Sequence, residues 1–285
     1  MSTVAQLLEP SATQSILGVH VAASSYDETV RNCLAWGENR ESRALVFANV
    51  HVIMEASDDA AFRDRLNRAD MVNPDGVPLV WTLRALGKRN AQRVYGPDAT
   101  VALLAAAEKA SLSVGFYGGS QQVLDTLVGV VGARHPNLNI AYVESPPFRR
   151  LTAEEDEAVI ERIVSSEVQL LFVGLGCPKQ EIWVTDHLGK VPAVMLAVGA
   201  AFDFIAGTKP QAPRWMMRNG LEWIFRFATE PKRLARRYLK HNPRFVGLVL
   251  LQLLSMPKEE SVAHAPRRRH DQETNLQSML EYRDE

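Results

Sequence analysis

The chain has 285 residues, of which 46% are hydrophobic and 23% are charged, and its formal net charge is -1. These values suit one large α/β domain with a C-terminal extension, and they give no overall attraction to nucleic acid, so we expect no nucleic-acid partner. The two cysteines, Cys33 and Cys177, lie far apart in no metal or redox spacing. This argues against a disulfide framework or a structural zinc site and suits a reducing, cytoplasmic setting.

After a start without clear pattern, apolar runs alternate with helical patterns along the chain. Most of the predicted strands end at a polar residue or a glycine. The predicted elements are a strand at 43–50, a helix around 55–69, a strand and turn at 71–76, a helix around 98–111, a strand and Gly-Gly turn at 113–120, a helix through 123–131, a strand at 140–143, a helix at 152–166, a strand at 168–173, a helix with Pro178 in its first turn, and a strand at 193–199.

This alternation predicts an α/β fold, with a Rossmann-like, mostly parallel sheet flanked by helices. Ligands of such sheets bind beyond the carboxyl ends of the strands. The pattern therefore places a set of polar residues and glycines along one edge of the sheet. They are Asn49, Asp75, Gly118, Gly119, Gln180 and Asp203.

The segment GLGCPKQE at 174–181 follows a buried strand and opens into a helix. Backbone N–H groups at such a helix start, with Lys179 close by, can hold a phosphate or a diphosphate. An ordinary strand-to-helix turn with a solvated lysine explains the same segment. The segment by itself leaves both readings open.

The composition changes near residue 215, where basic residues become interleaved with aromatic and aliphatic ones. This mixture predicts an amphipathic segment on an anionic membrane surface, although a basic helix packed on the domain is also compatible with it. The apolar run at 245–256 is too short to span a bilayer, and the N-terminus does not resemble a signal peptide. We expect a main domain at 1–225, a membrane-associating segment at 226–256 and a disordered tail at 257–285, in a protein on the inner face of the cell membrane.

Several ordered motifs give the chain a resemblance to a known family. The motifs are Asn73-Pro74-Asp75-Gly76, Arg93-Val94-Tyr95-Gly96-Pro97-Asp98, GLGCPKQE at 174–181, residues 199–207, Ala212-Pro213-Arg214-Trp215, and Gly220-Leu221-Glu222-Trp223 with the basic residues that follow. With these motifs the chain resembles, over residues 16–245, the WecG/TagA/CpsF family of bacterial glycosyltransferases.

The resemblance implies transfer of a hexose or N-acetylhexosamine from a UDP-sugar to an undecaprenyl-diphosphate-linked saccharide, with inversion at the anomeric carbon. It implies a role in exopolysaccharide, capsule or wall-polymer synthesis, with no cofactor and no required metal. We find no DxD-like pair beside a strand, and we predict no metal ligands. Monomer and homo-oligomer are both compatible with the sequence.

Asp75 is the predicted catalytic base, because a carboxylate at a strand end can take the proton from the acceptor hydroxyl. An ordinary Pro-Asp-Gly turn would also explain it. Phe47 departs from the threonine common in the family at that position, which weakens any substrate assignment. The predicted donor or acceptor ligands are Asn49, Arg93, Gly118, Gly119, Lys179, Gln180, Asp203, Arg214, Arg233, Arg236 and Arg237. The resemblance also implies that the basic segment at 226–256, which carries the last three of these arginines, closes over the active site.

Two other functions are weighed against this one. A nicotinamide-dependent oxidoreductase would share the strand, glycine turn and helix, but residues 115–119 lack the G-x-G-x-x-G spacing. A non-catalytic scaffold that binds nucleotide sugars in a polysaccharide assembly complex would retain the fold. Nucleotide-sugar binding without turnover would identify that scaffold.

Overall fold

The computed structural model describes residues 12–255, without the side chains of Arg218, Arg233 and Arg236. Its centre is a six-stranded sheet in the order β4-β3-β8-β7-β5-β6, and every neighbouring pair in it is parallel. The predicted α/β fold is thus confirmed. The strands of this sheet are β3 (Arg43–Ala48), β4 (Met71–Pro74), β5 (Val114–Gly118), β6 (Ile140–Glu144), β7 (Leu170–Gly174) and β8 (Val194–Ala197), preceded by an antiparallel hairpin of β1 (Thr13–Ile16) and β2 (Val19–Ala22).

Helices cover both faces of the sheet, as the connections between parallel strands require. The helices within the described residues are α1 (Tyr26–Glu38), α2 (Val50–Asp58), α3 (Ala60–Leu66), α4 (Val77–Ala85), α5 (Gly96–Ala110), α6 (Gln121–Arg134), α7 (Ala153–Ser165), α8 (Lys179–Asp186), α9 (Ala201–Ile205), α10 (Arg214–Arg218), α11 (Glu222–Thr229) and α12 (Pro231–Ser255).

The strands divide their buried side chains between two apolar clusters, one on each face of the sheet. In β7, Leu171 and Val173 join the first cluster, whereas Leu170 and Phe172 join the second. This alternation follows from the two-residue period of a strand. Because both faces are covered, the strands read as continuous apolar runs, which is why the sequence revealed them.

The predicted helix around 55–69 is wrong in its boundaries. Helix α2 begins directly after β3, at Val50, because Asn49 caps it. The Oδ1 atom of Asn49 accepts hydrogen bonds from the backbone N–H groups of His51 (3.0 Å) and Val52 (3.3 Å). A side chain that satisfies the first free N–H groups of a helix fixes where the helix starts.

The unpatterned start of the chain also contains structure that the sequence analysis missed. The β1–β2 hairpin and α1 lie there, and α4 follows directly after the 73–76 turn. Ser25 caps α1 by accepting a hydrogen bond from the N–H of Glu28 (3.2 Å). Pro178 lies at the position before the first helical residue of α8 rather than in its first turn.

Helix α12 packs on the first cluster through Phe245 and Val249, which are 3% and 8% exposed. The Gln252 side chain holds the same helix against the hairpin, because it accepts from Leu17 N (2.9 Å) and donates to Ser15 O (2.8 Å). Among residues 12–255, no helix combines the length and the apolar character needed to cross a bilayer. The boundaries predicted at 225 and 256 stay predictions, and the tail at 257–285 lies outside the described residues.

Candidate active site

The site is built at the carboxyl ends of two adjacent strands, β3 and β4. Asn49 follows β3 and Asp75 follows β4, and the Asp75 N–H donates to the carbonyl of Ala48 (2.8 Å). A Cβ atom at Gly76 would lie only 3.3 Å from the Cα atom of Asn49. The glycine of the Pro-Asp-Gly turn therefore lets the two loops approach each other closely.

A cavity of about 310 Å³ opens above these strand ends. Its floor comes from the loops after β3 and β4, and its wall comes from α11 and α12. Residues 49–93 and residues 220–246, which are far apart in the sequence, therefore meet in it. The lining residues are Asn49, Val50, His51, Asp75, Gly76, Val77, Pro78, Arg93, Gly220, Glu222, Trp223, Arg226, Arg237, Tyr238, His241, Asn242, Phe245 and Val246.

Asp75 is the carboxylate with the most unusual environment in this cavity. Its side chain is 16% exposed, and its Oδ1 atom is buried with no hydrogen bond from any described residue. Burial raises the pKa of Asp75 to about 7, although the positive charge of Arg93, with Nη2 3.7 Å from Oδ1, acts in the opposite direction. A carboxylate with a pKa near neutrality and one oxygen that accepts no hydrogen bond is suited to accept a proton.

A charged network holds Arg93 beside Asp75. The Arg93 side chain donates to the backbone carbonyl of Asp75, and its Nη2 donates to Glu222 (2.6 Å). Glu222 also binds Arg226 at 2.6 Å, and the Arg93 guanidinium lies 4.2 Å from the centre of the Tyr95 ring. The carboxylate of Glu222 thus joins two guanidinium groups at the cavity wall and fixes their positions.

Replacing Glu222 with alanine is expected to lower the free energy of unfolding by about 2 kcal/mol, because Arg93 and Arg226 would repel each other in a half-buried site. Denaturant unfolding of both proteins measures the difference. Glu161→Ala, on the exposed face of α7, removes the same side chain away from the cavity and should change stability little. Equal unfolding midpoints for the two variants would contradict this role of Glu222.

Four of the sequence-predicted site residues line the cavity: Asn49, Asp75, Arg93 and Arg237. Arg214 lies instead at a second cavity of about 300 Å³, which Arg93 also lines. There it pairs with Asp98 at 2.9 Å. The side chains of Arg233 and Arg236 lie outside the described part of the structure, so their predicted roles are still predictions.

Gln180 and Asp203 make contacts within the protein. The Oε1 atom of Gln180 accepts from Gly176 N (3.0 Å) and its Nε2 atom donates to Glu181 (3.0 Å), in a buried position. Asp203 pairs with Lys209 at 3.1 Å and accepts from the Thr208 hydroxyl at 3.3 Å. These bonds stabilise the loops after β7 and β8, and ligand contacts of both residues stay predictions.

The glycines of the 118–119 turn let β5 and β7 approach each other. A Cβ atom at Gly118, where φ is +115°, would lie 2.6 Å from the carbonyl carbon of Gly174. The Gly119 N–H donates to the Gly174 carbonyl at 3.0 Å. Lys179 is exposed at the start of α8. None of these three predicted residues is in the lining of the 310 Å³ cavity, and their contact with a nucleotide stays a prediction.

Phe47 does not reach this cavity either. It is 5% exposed and belongs to the second apolar cluster, where a Cβ atom at Gly96 would touch it at 3.4 Å. The bulk of Phe47 thus fills the core beside the start of α5. Its departure from the family pattern leaves the lining of the 310 Å³ cavity unaltered.

Several residues that line the cavity were not predicted as site residues from the sequence. Glu222 and Arg226 carried a signal, since their i, i+4 spacing predicts an ion pair on a helix. His51 follows the strand-end Asn49 by two residues, but its partner His241 comes from α12. Only the packing of α12 shows that these two rings meet, 5.3 Å apart between centres.

Comparison with known proteins gives this geometry a context. The profile of the Glycosyl transferase WecG/TagA/CpsF family matches residues 14–259. The chain belongs to the WecG/TagA/CpsF family. The resemblance drawn from its motifs is thereby confirmed, and so is the prediction that it is a glycosyltransferase.

Two relatives with this activity in their names are similar over most of their length. One is the N-acetylglucosaminyldiphosphoundecaprenol N-acetyl-beta-D-mannosaminyltransferase of Bacillus spizizenii, 30% identical over 207 residues, which are 72% of this chain and 78% of the relative. The other is the protein of the same name from Staphylococcus aureus, 28% identical over 239 residues, which are 83% of this chain and 91% of the relative. Both are glycosyltransferases like this WecG/TagA/CpsF member.

Proposed function

We propose that this glycosyltransferase moves a hexose or N-acetylhexosamine, of the N-acetylmannosamine type, from a UDP-sugar to an undecaprenyl-diphosphate-linked saccharide. The product would enter exopolysaccharide, capsule or wall-polymer synthesis. The names of the Bacillus and Staphylococcus relatives support the sugar and the lipid-linked acceptor. The observation that carries the proposal is the Asp75 carboxylate, which lies at a cavity that arginines also line and whose buried Oδ1 atom accepts no hydrogen bond from the described residues.

In the proposed reaction, Asp75 takes the proton from the acceptor hydroxyl as its oxygen attacks the anomeric carbon of the donor. The bond from that carbon to the diphosphate oxygen breaks on the opposite face, so the configuration inverts. UDP leaves with the bonding electrons. A base with a pKa of about 7 is about half ionised at neutral pH and binds a proton more tightly than an ordinary carboxylate, which suits this step.

Negative charge grows on the diphosphate as UDP departs, and cationic groups at the cavity can stabilise it. Arg93, Arg226 and Arg237 line the cavity. Glu222 neutralises part of the charge of the first two and fixes their positions. We propose that these arginines supply the positive charge for the leaving group, and that the chemical step requires no metal.

A lipid-linked acceptor would bring the reaction to a membrane surface, and we propose the inner face of the cell membrane. Exposed apolar side chains on α11 and α12 support this proposal, since Trp223, Leu239, Val246 and Leu250 are each between 45% and 76% exposed. Helix α12 also carries basic residues such as Lys240 and Arg244. Apolar and basic groups together bind anionic lipid surfaces.

The test is UDP release from a panel of UDP-hexoses and UDP-N-acetylhexosamines, with a polyprenyl-diphosphate-linked N-acetylglucosamine acceptor and EDTA present. Acceptor-dependent release from one donor is expected for the native protein and not for Asp75→Asn. Binding of a UDP-sugar without turnover under any of these conditions would instead support the scaffold. Release that continues unchanged in the folded Asp75→Asn variant would reject Asp75 as the base.

A further inference from the structure

Beside the proposed active site, three metal-ligating side chains converge where α2 meets α12. They are His51 and Glu55, one helical turn apart on α2, and His241 on α12. Residues four apart on a helix lie on the same face, so the first two present their side chains side by side. The third lies almost 200 residues later in the chain, and for this reason no local sequence pattern predicts a metal site here.

The distances suit a small divalent ion. The Nδ1 atom of His51 lies 3.6 Å from Oε1 of Glu55, and Nε2 of His241 lies 3.3 Å from the same oxygen. One ligand atom from each of the three residues lies within 4.8 Å of the others. Ligand atoms of a tetrahedral zinc site, with bonds of about 2.0–2.1 Å, are roughly 3.3 Å apart.

The histidine rings are buried and incompletely satisfied. The His241 side chain is 5% exposed and that of His51 is 14% exposed. The Nδ1 atoms of both rings are buried and have no hydrogen bond partner among the described residues. The Nδ1 atom of His51, which lies 3.6 Å from Oε1 of Glu55, is therefore available as a metal ligand.

The surrounding charge selects the kind of ion. On α12, Lys240 immediately precedes His241 and Arg244 follows it by three residues, and both pair with Asp58, at 3.1 Å and 2.6 Å. This basic surround disfavours Mg²⁺ and Ca²⁺, which are held by several carboxylate and carbonyl oxygens. A transition metal bound mainly through imidazole nitrogen depends less on carboxylate charge.

We propose that His51, Glu55 and His241 form a site for one Zn²⁺-class ion that joins α12 to α2. Three protein ligands leave at least one position for water or another small ligand, and His51 and His241 also line the cavity. The ion would fix the basic helix over the cavity. It takes no part in the proposed transfer step, and the inference does not depend on which sugar is transferred.

The experiment is metal binding by the full chain after removal of metals with a chelator. Co²⁺ is added as a visible-absorption probe, Zn²⁺ is used to displace it, and bound metal per chain is measured by mass spectrometry. We expect about one equivalent, and a rise in the thermal midpoint of about 5 °C at a hundredfold excess over the Kd for Zn²⁺. His51→Gln and His241→Gln should each weaken binding at least tenfold and, at the same Zn²⁺ concentration, reduce the rise to about half or less.

Two controls separate this site from adventitious binding by other histidines. His20→Gln changes an exposed histidine of the hairpin, and His264→Gln with His270→Gln changes two in the C-terminal tail. All three should leave the Co²⁺ spectrum and the stoichiometry unchanged. Less than half an equivalent in the native protein at micromolar Zn²⁺, or an unaltered spectrum in His51→Gln and His241→Gln, would overturn the inference. These readouts involve no sugar transfer, so they are independent of the test of the proposed function.

Discussion

Asp75→Asn is expected to lower kcat for sugar transfer by a factor of about 10²–10⁴, the usual contribution of a general base. The KM for the donor should change little, because Arg93 keeps its bond to Glu222 and therefore its position. Steady-state UDP release, measured with saturating acceptor, gives both constants. A variant that folds and keeps native kcat would exclude Asp75 from the proton transfer.

The same carboxylate sets the expected pH dependence. Asp75 must be ionised to accept a proton, and its pKa is raised to about 7 by burial. The rate should therefore fall about tenfold for each pH unit below that value and level off above it. The Asn variant should lack this limb in any residual activity it retains.

Stability should change in the opposite direction to activity. The folded protein binds the Asp75 proton more tightly than the unfolded chain, so native stability decreases as the pH rises from about 4 to about 7. Asparagine does not ionise, so Asp75→Asn should not show this decrease in stability. Above pH 7 the variant should be more stable by an amount on the order of 4 kcal/mol, because the folded and unfolded pKa values of Asp75 differ by about three, and below pH 4 the two proteins should differ little.

Asp58→Asn provides the matched control for that measurement. Hydrogen bonds from Arg244 and Lys240 hold the pKa of Asp58 below its usual value, so its substitution removes a favourable charge interaction. Denaturant unfolding across the pH range should show no gain for this variant. Equal behaviour of the two Asn variants would mean that the Asp75 carboxylate is not destabilised by its burial.

Membrane association should depend on the exposed apolar face of α12. Replacing Leu239, Val246 and Leu250 with glutamate is expected to weaken binding to phosphatidylglycerol vesicles by about 10²-fold. Each substitution removes an apolar side chain that would be partly buried in the lipid surface, and it adds a negative charge that the anionic lipid repels. Cosedimentation at several lipid concentrations measures the affinity, and the exposure of all three residues means that the fold should be retained.

Val164→Glu is the control for this face. Val164 lies on α7 and is 39% exposed. Its replacement by glutamate adds negative charge, as the α12 substitutions do, but on a different helix. Binding of this variant should stay near that of the native protein. If the triple variant sediments with vesicles as well as Val164→Glu does, then the α12 face does not carry the interaction and the basic residues must be tested next.

The sequence by itself determined the parallel sheet and the place of its ligand edge. Buried strands such as Leu170–Gly174 are apolar throughout because both faces of the sheet are covered, and this pattern is visible without a structure. Asn49 and Asp75 could be placed near each other for the same reason, since the carboxyl ends of parallel strands share one edge. The ordered motifs also identified the family.

Only the tertiary structure decided which polar residues share the cavity. Glu222, Arg226 and His241 enter it because α11 and α12 fold back over the strand ends, with Phe245 and Val249 buried against the core. Such long-range packing leaves no periodic signal in the local sequence. The unusual proton affinity of Asp75 has the same origin. Asp75 belongs to an ordinary turn sequence, and its pKa is raised because distant segments of the chain exclude water from it.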